Sequence, residues 1–173
     1  MSEQAKNKVR KLWQMDDLFH NTSRYPHKQN VPRTDRLAAI LRDGIVAPAA
    51  CTDGSVCSDL NLTVQGSTVP YDSIVFLHRY GEPSWLYTIS QPGHFTVFVD
   101  PAFPVMTPQD LEPHWVKLSQ DEVYVQDRVP PDRLIALVVN EADAQAVLTE
   151  FQAELERLAL PLYLYNGTVL WPT

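Results

Sequence analysis

Two polar side chains in this sequence stand where chemistry could be done. His20 closes the stretch DDLFH and leads directly into Asn21, Thr22 and Ser23; a short apolar strand that runs into turn formers puts such a histidine near a strand end. Glu122 stands at the start of DEVYVQDRVP, whose apolar and polar residues alternate with the period of a half-buried strand. Gln120 lies two residues earlier and by the same period shares the face of Glu122, while Asp121 points the other way. A carboxylate can stabilise developing positive charge, an amide can hold a polar acceptor group, and an imidazole can fix a hydroxyl. The alternative for each is plain: an outward-facing Glu on an alternating strand, and a histidine satisfied by backbone.

Several large enzyme classes are excluded by what is missing. There is no phosphate-cradling GxxxxGK(S/T), no GxGxxG after a strand, no HExxH and no paired CxxC. His20, His27, His78, His94 and His114 lie far apart, without metal-ligand spacing, so no metal is expected.

The chain of 173 residues fits one domain, and 45% hydrophobic with 20% charged residues is a globular composition. No apolar run approaches the roughly 18–20 residues of a membrane span, and MSEQAKNKVRKLWQM lacks a signal peptide's apolar core. A cytoplasmic location is therefore expected, with Cys51 and Cys57 as free thiols. The formal net charge of −7 repels polyanions overall. Lys6, Lys8, Arg10, Lys11, Arg24, His27, Lys28, Arg33, Arg36 and Arg42 nevertheless gather most of the positive charge in the first quarter, as a local basic strip or as a solvated basic N-terminus.

The elements that would position these residues follow from periodicity. Residues 1–15 read as a polar, helix-capable lead-in, and Thr34-Asp35 offers an N-cap for the amphipathic helix RLAAILRD, stopped by Gly44. Residues 47–72 have little periodicity and read as a flap. SIVFLHRY is a buried strand, EPSWLYTIS a helix opened by Pro83, HFTVFVDP another strand, and RLIALVV a fully buried one. NEADAQAVLTEFQAELERLA is the clearest amphipathic helix, and PLYLYNGTVL a hairpin about Asn166-Gly167. The expected core draws on Leu37, Ile40, Leu41, Ile74, Val75, Phe76, Val97, Val99, Val123, Val125, Leu134, Ile135, Leu137, Val138 and Leu148.

Three segments taken in order carry a resemblance: LFHNTS with RLAAILRDGI, then YDSIVFLHRYGEPSWLYTI, then SQDEVYVQDRVPPDRLIALVV. Together, across roughly residues 18–140, they resemble the ADP-ribosyltransferase superfamily, and within it look most like the DarT-type toxins that modify bases in DNA. Those proteins open with a strand ending in His-x-Thr and a helix LxxILxxGL. They continue with a strand and a Leu-Tyr helix, and close with a Gln-x-Glu strand leading into VPxxxI. The resemblance implies a mixed α+β fold over residues 1–173, with a split β-sheet core, short flanking helices and a longer C-terminal helix.

It also implies roles. His20 would hydrogen-bond the nicotinamide-side ribose of NAD, with Thr22 assisting. Glu122 would stabilise the oxocarbenium-like cation formed as the glycosidic bond of NAD breaks, and Gln120 would hold the acceptor. Tyr87 or Tyr80 would stack on nicotinamide, with Trp85 and Phe76 behind them, and one of Arg24, Arg36, Arg42 or Arg79 would neutralise the pyrophosphate. NAD is then a co-substrate and no metal takes part. The acceptor stays open between single-stranded DNA, RNA and a protein side chain, because residues 50–73 carry Asp53, Asp59 and Asp72 but neither Lys nor Arg. A toxin of this kind implies a neutralising antitoxin protein. Two other readings fit the same residues: an RNA 2′-phosphotransferase-like enzyme that also consumes NAD, and a non-catalytic interaction domain presenting the long helix and the terminal hairpin.

Overall fold

The computed structural model describes residues 3–25, 34–50, 73–80, 89–107, 110 and 122–173. The fold is mixed α+β, and its centre is a seven-stranded sheet in the order β5-β3-β1-β4-β7-β8-β9. These strands are β1 (Leu18–Ser23), β3 (Ile74–Arg79), β4 (His94–Val99), β5 (Glu122–Gln126), β7 (Leu134–Val139), β8 (Leu162–Leu164) and β9 (Val169–Trp171). Two short strands, β2 (Ile45–Val46) and β6 (Arg128–Val129), pair separately. All pairings in the large sheet are antiparallel except β7 with β8, which are parallel. A parallel pair needs a crossover, and the helix α3 (Glu141–Leu158) supplies it.

Alternation along each strand sorts the apolar side chains onto two faces. On one face, Leu18, Val75, Leu77, Val97, Val99, Val123 and Val125 pack with Leu37, Ile40 and Leu41 of α2 (Arg36–Asp43) and with Val147, Phe151 and Leu155 of α3. On the other, Phe19, Phe98, Ala136, Val138 and Tyr163 meet Leu12 and Ile89. The expected core is borne out except at Phe76, Ile135 and Leu148, which are half-buried. Of the helix expected over residues 82–90 only Ile89, which is buried, and Ser90 lie among the described residues; of the flap expected over 47–72, residues 47–50 are described, with Ala47 buried and Pro48–Ala50 a 3-10 helix, while Cys51 and Cys57 lie outside them.

The N-terminal segment departs from the solvated, polar lead-in expected of it. It does begin as a helix, α1 (Glu3–Lys8), but Ala5 and Leu12 are buried and Trp13 packs edge-on against Phe19 and Phe98. Asp17, fully buried, pairs with Arg10 and accepts the Gln14 N–H at 2.7 Å. Lys8 Nζ donates to the Leu158 carbonyl at 3.0 Å, which places a cation at the C-terminal end of α3 where helix carbonyls lack partners. Polar residues dominate this segment by count, yet a few apolar anchors and one buried ion pair decide where it lies.

The strand read as one alternating run from Asp121 to Pro130 is two. Asp127 adopts a left-handed φ of 64°, and the chain passes there from β5 in the large sheet to β6 in the small one. Nor is β5 half-buried: Glu122, Val123, Tyr124 and Val125 are all buried, Val123 and Val125 in the main core, and Met106 pairs with Tyr124 along the outer edge through backbone hydrogen bonds of 2.7 and 2.8 Å.

Gly44 couples α2 to the small sheet. Asp35 caps the start of the helix by accepting from the Leu37 and Ala38 N–H groups, and Gly44 ends it at φ 84°, donating to the Ile40 carbonyl at 2.9 Å. A Cβ at Gly44 would overlap the Val129 carbonyl oxygen, whereas one at Gly167, also at positive φ, meets open space. Gly44→Ala should therefore cost about 2–4 kcal/mol, left-handed strain plus overpacking, and Gly167→Ala only about 1 kcal/mol. Urea unfolding of both variants measures the difference; equal losses would show that the approach to Val129 carries no weight.

Candidate functional site

The seam between β1 and β3 is the shortest in the middle of the sheet. β1 pairs with β4 along its whole length, from Leu18↔Val99 to Ser23↔His94, and β3 pairs with β5 from Ile74↔Gln126 to His78↔Glu122. Between β1 and β3 the register holds only at Leu18↔Arg79 and Phe19↔His78. From His20 onward the two strands part.

His20 stands at the first position past that seam. Its Nδ1 lies 3.0 Å from the Phe76 carbonyl oxygen of β3, a side chain filling a gap the backbone ladder leaves. A carbonyl can only accept, so Nδ1 carries the proton and Nε2 of the neutral ring is left as an acceptor. Burial lowers the pKa of His20, the Phe76 carbonyl opposes that, and the neighbouring Arg36 cation lowers it further. The ring is neutral at physiological pH, able to receive a hydroxyl proton at Nε2.

Arg36 comes to the same place from α2. It is the first residue of the helix and is buried, with Nη1 3.3 Å from Thr22 Oγ1 and 3.1 Å from Ser23 Oγ. Four candidates for phosphate recognition are thereby distinguished. Arg24 is spent on structure: it donates to Asp35 at 2.9 and 2.7 Å, pairs with Glu150 and lies over the Phe151 ring. Arg42 is paired with the adjacent Asp43 on the surface, and Arg79 is exposed on β3. Arg36 alone of the four acts on the charge of His20, and it donates to the Thr22 and Ser23 hydroxyls.

Glu122 heads β5, two strands away. Phe19, His78 and Glu122 form one row across β1, β3 and β5, since each is the register partner of the next. Strands lie about 4.8 Å apart, so the row sets the Cα atoms of Phe19 and Glu122 about 10 Å apart, and His20 is the next residue along β1. Alternation sends Glu122 to the face of His78 and Phe19; His20 instead turns into the opening between β1 and β3. The Glu122 carboxyl is buried, at 6% exposure, not solvated on an outer face. Burial raises its pKa, and the Tyr124 hydroxyl, which donates to Oε2 at 3.2 Å, partly offsets the rise.

Other residues expected at a site are placed differently. Thr22 is the hydroxyl partner of Arg36. Tyr80 packs against Trp13, ring centroids 5.6 Å apart, in the second apolar cluster. Tyr87, Trp85 and Gln120 lie outside the described residues. Sequence reasoning passed over His78 and Tyr124. Their signal was the period-two spacing that puts Tyr124 on the face of Glu122; the pairing of His78 with Glu122 has no local signature. Burial, then the adjacent His20, push the His78 pKa down to about 4.

On the far side of β1 a polar network steadies the strand. Asn21 Nδ2 donates to the Phe95 carbonyl at 3.0 Å and to Thr96 Oγ1 at 2.9 Å, and Thr96 Oγ1 in turn lies 2.9 Å from the Tyr165 hydroxyl. Among the described residues no group of His, Cys, Asp and Glu could hold a metal ion, and no helix is long and apolar enough to cross a membrane.

No protein-family model, no curated protein and no solved structure matches this chain. The class defined by its own geometry is a mixed α+β domain whose sheet parts beside a neutral histidine, a buried arginine and a buried carboxyl.

Glu122 gives a prediction of sign. Its folded pKa lies above the ordinary value of 4.5, so the stability it contributes is fully present below that value and is lost as pH rises through the folded pKa. Glu122→Gln is neutral at every pH and keeps an acceptor for Tyr124. It should stabilise the fold at pH 7 by about 0.5–2 kcal/mol, with the gain vanishing once pH falls below about 4. Urea unfolding at the two pH values tests it; no gain at pH 7 would mean that the carboxylate is not penalised by its surroundings.

Proposed function

We propose that this protein is an NAD-dependent ADP-ribosyltransferase that releases nicotinamide and passes ADP-ribose to a macromolecular acceptor. The observation that carries the reading is the parting of the sheet at His20: an imidazole with a free Nε2, a buried guanidinium beside it, and a buried carboxyl one residue row away across two strands. That set suits a dinucleotide with one cationic glycosidic bond. Arg36 takes the pyrophosphate, because a fixed planar cation is matched to phosphate oxygens. His20 accepts from a ribose hydroxyl and orients the sugar. Glu122, ionised, faces the anomeric carbon.

The reaction balances without a cofactor beyond NAD. The bond between nicotinamide nitrogen and ribose carbon breaks, and nicotinamide leaves neutral with the electron pair. The sugar becomes an oxocarbenium ion stabilised by the Glu122 carboxylate. An acceptor lone pair forms the new bond, and the acceptor's proton passes to that carboxylate and then to solvent. Burial that raises the pKa of Glu122 supports this role, since a carboxylate poorly solvated before reaction gains most from a cation formed against it. The acceptor is a base of single-stranded DNA, an RNA or a protein side chain, and a DNA-modifying toxin of this kind would be matched by an antitoxin. The resemblance described above also supports the reading, with Tyr80 or Tyr87 stacking on nicotinamide and Gln120 holding the acceptor.

Purified protein incubated with NAD should release nicotinamide, faster with whichever of single-stranded DNA, RNA or cell lysate supplies the acceptor. Glu122→Ala should lower kcat about 100- to 1,000-fold. Arg36→Met should raise the KM for NAD by about 10- to 100-fold through loss of a charged contact. Absence of nicotinamide under all conditions, with no NAD binding by calorimetry, would overturn the assignment in favour of a non-catalytic module.

A further inference from the structure

Arg36 is the first residue of α2, so whatever seats the start of that helix also places its guanidinium. The first N–H groups of a helix have no partner inside it. Here the Arg36 N–H donates to the Arg24 carbonyl at 2.9 Å, and those of Leu37 and Ala38 donate to Asp35 Oδ1 at 3.0 and 3.3 Å. The second oxygen of Asp35, Oδ2, accepts from Arg24 Nε and Nη2 at 2.9 and 2.7 Å. One carboxylate thus caps α2 with one oxygen and binds Arg24 with the other.

Arg24 is fixed in turn from two sides. It directly follows β1, and its N–H donates to the carbonyl of Gly93, the residue before β4, at 2.8 Å. Its guanidinium also pairs with Glu150 and lies over the Phe151 ring, 5.1 Å from the centroid. Phe151 is the residue at which the dihedrals of α3 leave the helical range, with φ −118° and ψ 15°. The end of β1, the cap of α2 and the bend of α3 therefore meet on one side chain.

We propose that Arg24 is a positioning residue for Arg36: through the Asp35 cap and its own carbonyl it seats the start of α2, and so holds the Arg36 guanidinium against the Thr22 and Ser23 hydroxyls at the opening. The consequence for NAD rests on the transferase reading, which gives Arg36 the pyrophosphate; the joint between β1 and α2 does not. Arg24 touches no ligand in this role. A planar fork suits it, because Nε and Nη2 reach one carboxylate together while the same group pairs with Glu150 and covers an aromatic ring. A lysine ammonium supplies the charge without that fixed spread of donors.

Amide hydrogen exchange and nicotinamide release by the full-length protein test this. Asp35→Asn keeps an oxygen that can cap α2 and removes the charge that holds Arg24. Arg24→Gln removes the fork, and Arg24→Lys keeps the charge alone. In Arg24→Gln, and to a smaller extent in Asp35→Asn, the Arg36 amide should exchange about 10-fold faster relative to the Val138 amide in the middle of the sheet. The KM for NAD should rise about 5- to 20-fold in Arg24→Gln, with kcat within about 2-fold of wild type, and Arg24→Lys should recover part of the loss. In an Arg36→Met background, Arg24→Gln should raise KM no further, because a residue that acts through Arg36 then has nothing left to place. A general loosening of the fold would instead lower kcat and add to the Arg36→Met defect. Amide spectra establish that each variant is folded. Unchanged relative exchange of the Arg36 amide in folded Arg24→Gln, or in folded Asp35→Asn where Arg24→Gln fails to fold, overturns the proposal. So does a KM that stays at the wild-type value, or a rise that persists undiminished in the Arg36→Met background. Should wild-type protein release no nicotinamide, the transferase reading fails alone, and the exchange rates still decide whether Arg24 seats Arg36.

Discussion

The parting of β1 from β3 is the constraint on which the site depends. Backbone groups inside a sheet must find partners, and a strand that leaves its neighbour after two register positions exposes carbonyls and amides that a ladder would have used. His20 supplies a side-chain donor to the Phe76 carbonyl at the point of separation. The histidine therefore closes the end of the seam and, because its Nδ1 is consumed there, presents Nε2 to whatever enters. A gap in secondary structure and the tautomer of a candidate binding residue are one physical fact.

Keeping such an opening requires that the strands on either side be held from elsewhere. β1 is clamped by its full pairing with β4 and by the Asn21, Thr96 and Tyr165 network, and Arg24 ties its end to Asp35 of the α2 cap and to Glu150 of α3. β3 is clamped by β5, which Met106 borders in turn. The N-terminal segment covers the second face, where Trp13 seats against Phe19 and Phe98 and donates to the Tyr165 carbonyl at 3.1 Å. Substitutions in these supports would displace the site without touching it.

Buried charge is distributed unevenly. Asp17, just before the β1–β3 seam, is matched by Arg10 and by the Gln14 amide, although burial still raises its pKa. Arg36 and Glu122 each have hydroxyl contacts, Arg36 to Thr22 and Ser23 and Glu122 to Tyr124. Hydroxyls orient a charge and satisfy part of its hydrogen bonding, but leave its field available.

Much of the framework was legible in the sequence, and the reason is that local periodicity decides it. Leu37, Ile40 and Leu41 between Asp35 and Gly44 specify α2, and the alternation in IVFLHR, HFTVFV and LIALVV specifies β3, β4 and β7. Asn166-Gly167 marks the turn between β8 and β9. His20 and Glu122 could be singled out by type and by place on a strand. What tertiary structure alone decided is non-local. The selection of Arg36 over Arg24 depends on Asp35 and Glu150 having already claimed Arg24, a pairing across 126 residues in the second case. The burial of Ala5, Leu12 and Asp17 in a polar segment depends on a distant face that needed covering. The row from Phe19 through His78 to Glu122 depends on strand order, which periodicity cannot encode, because period two says which face a side chain takes and never which strand lies beside it.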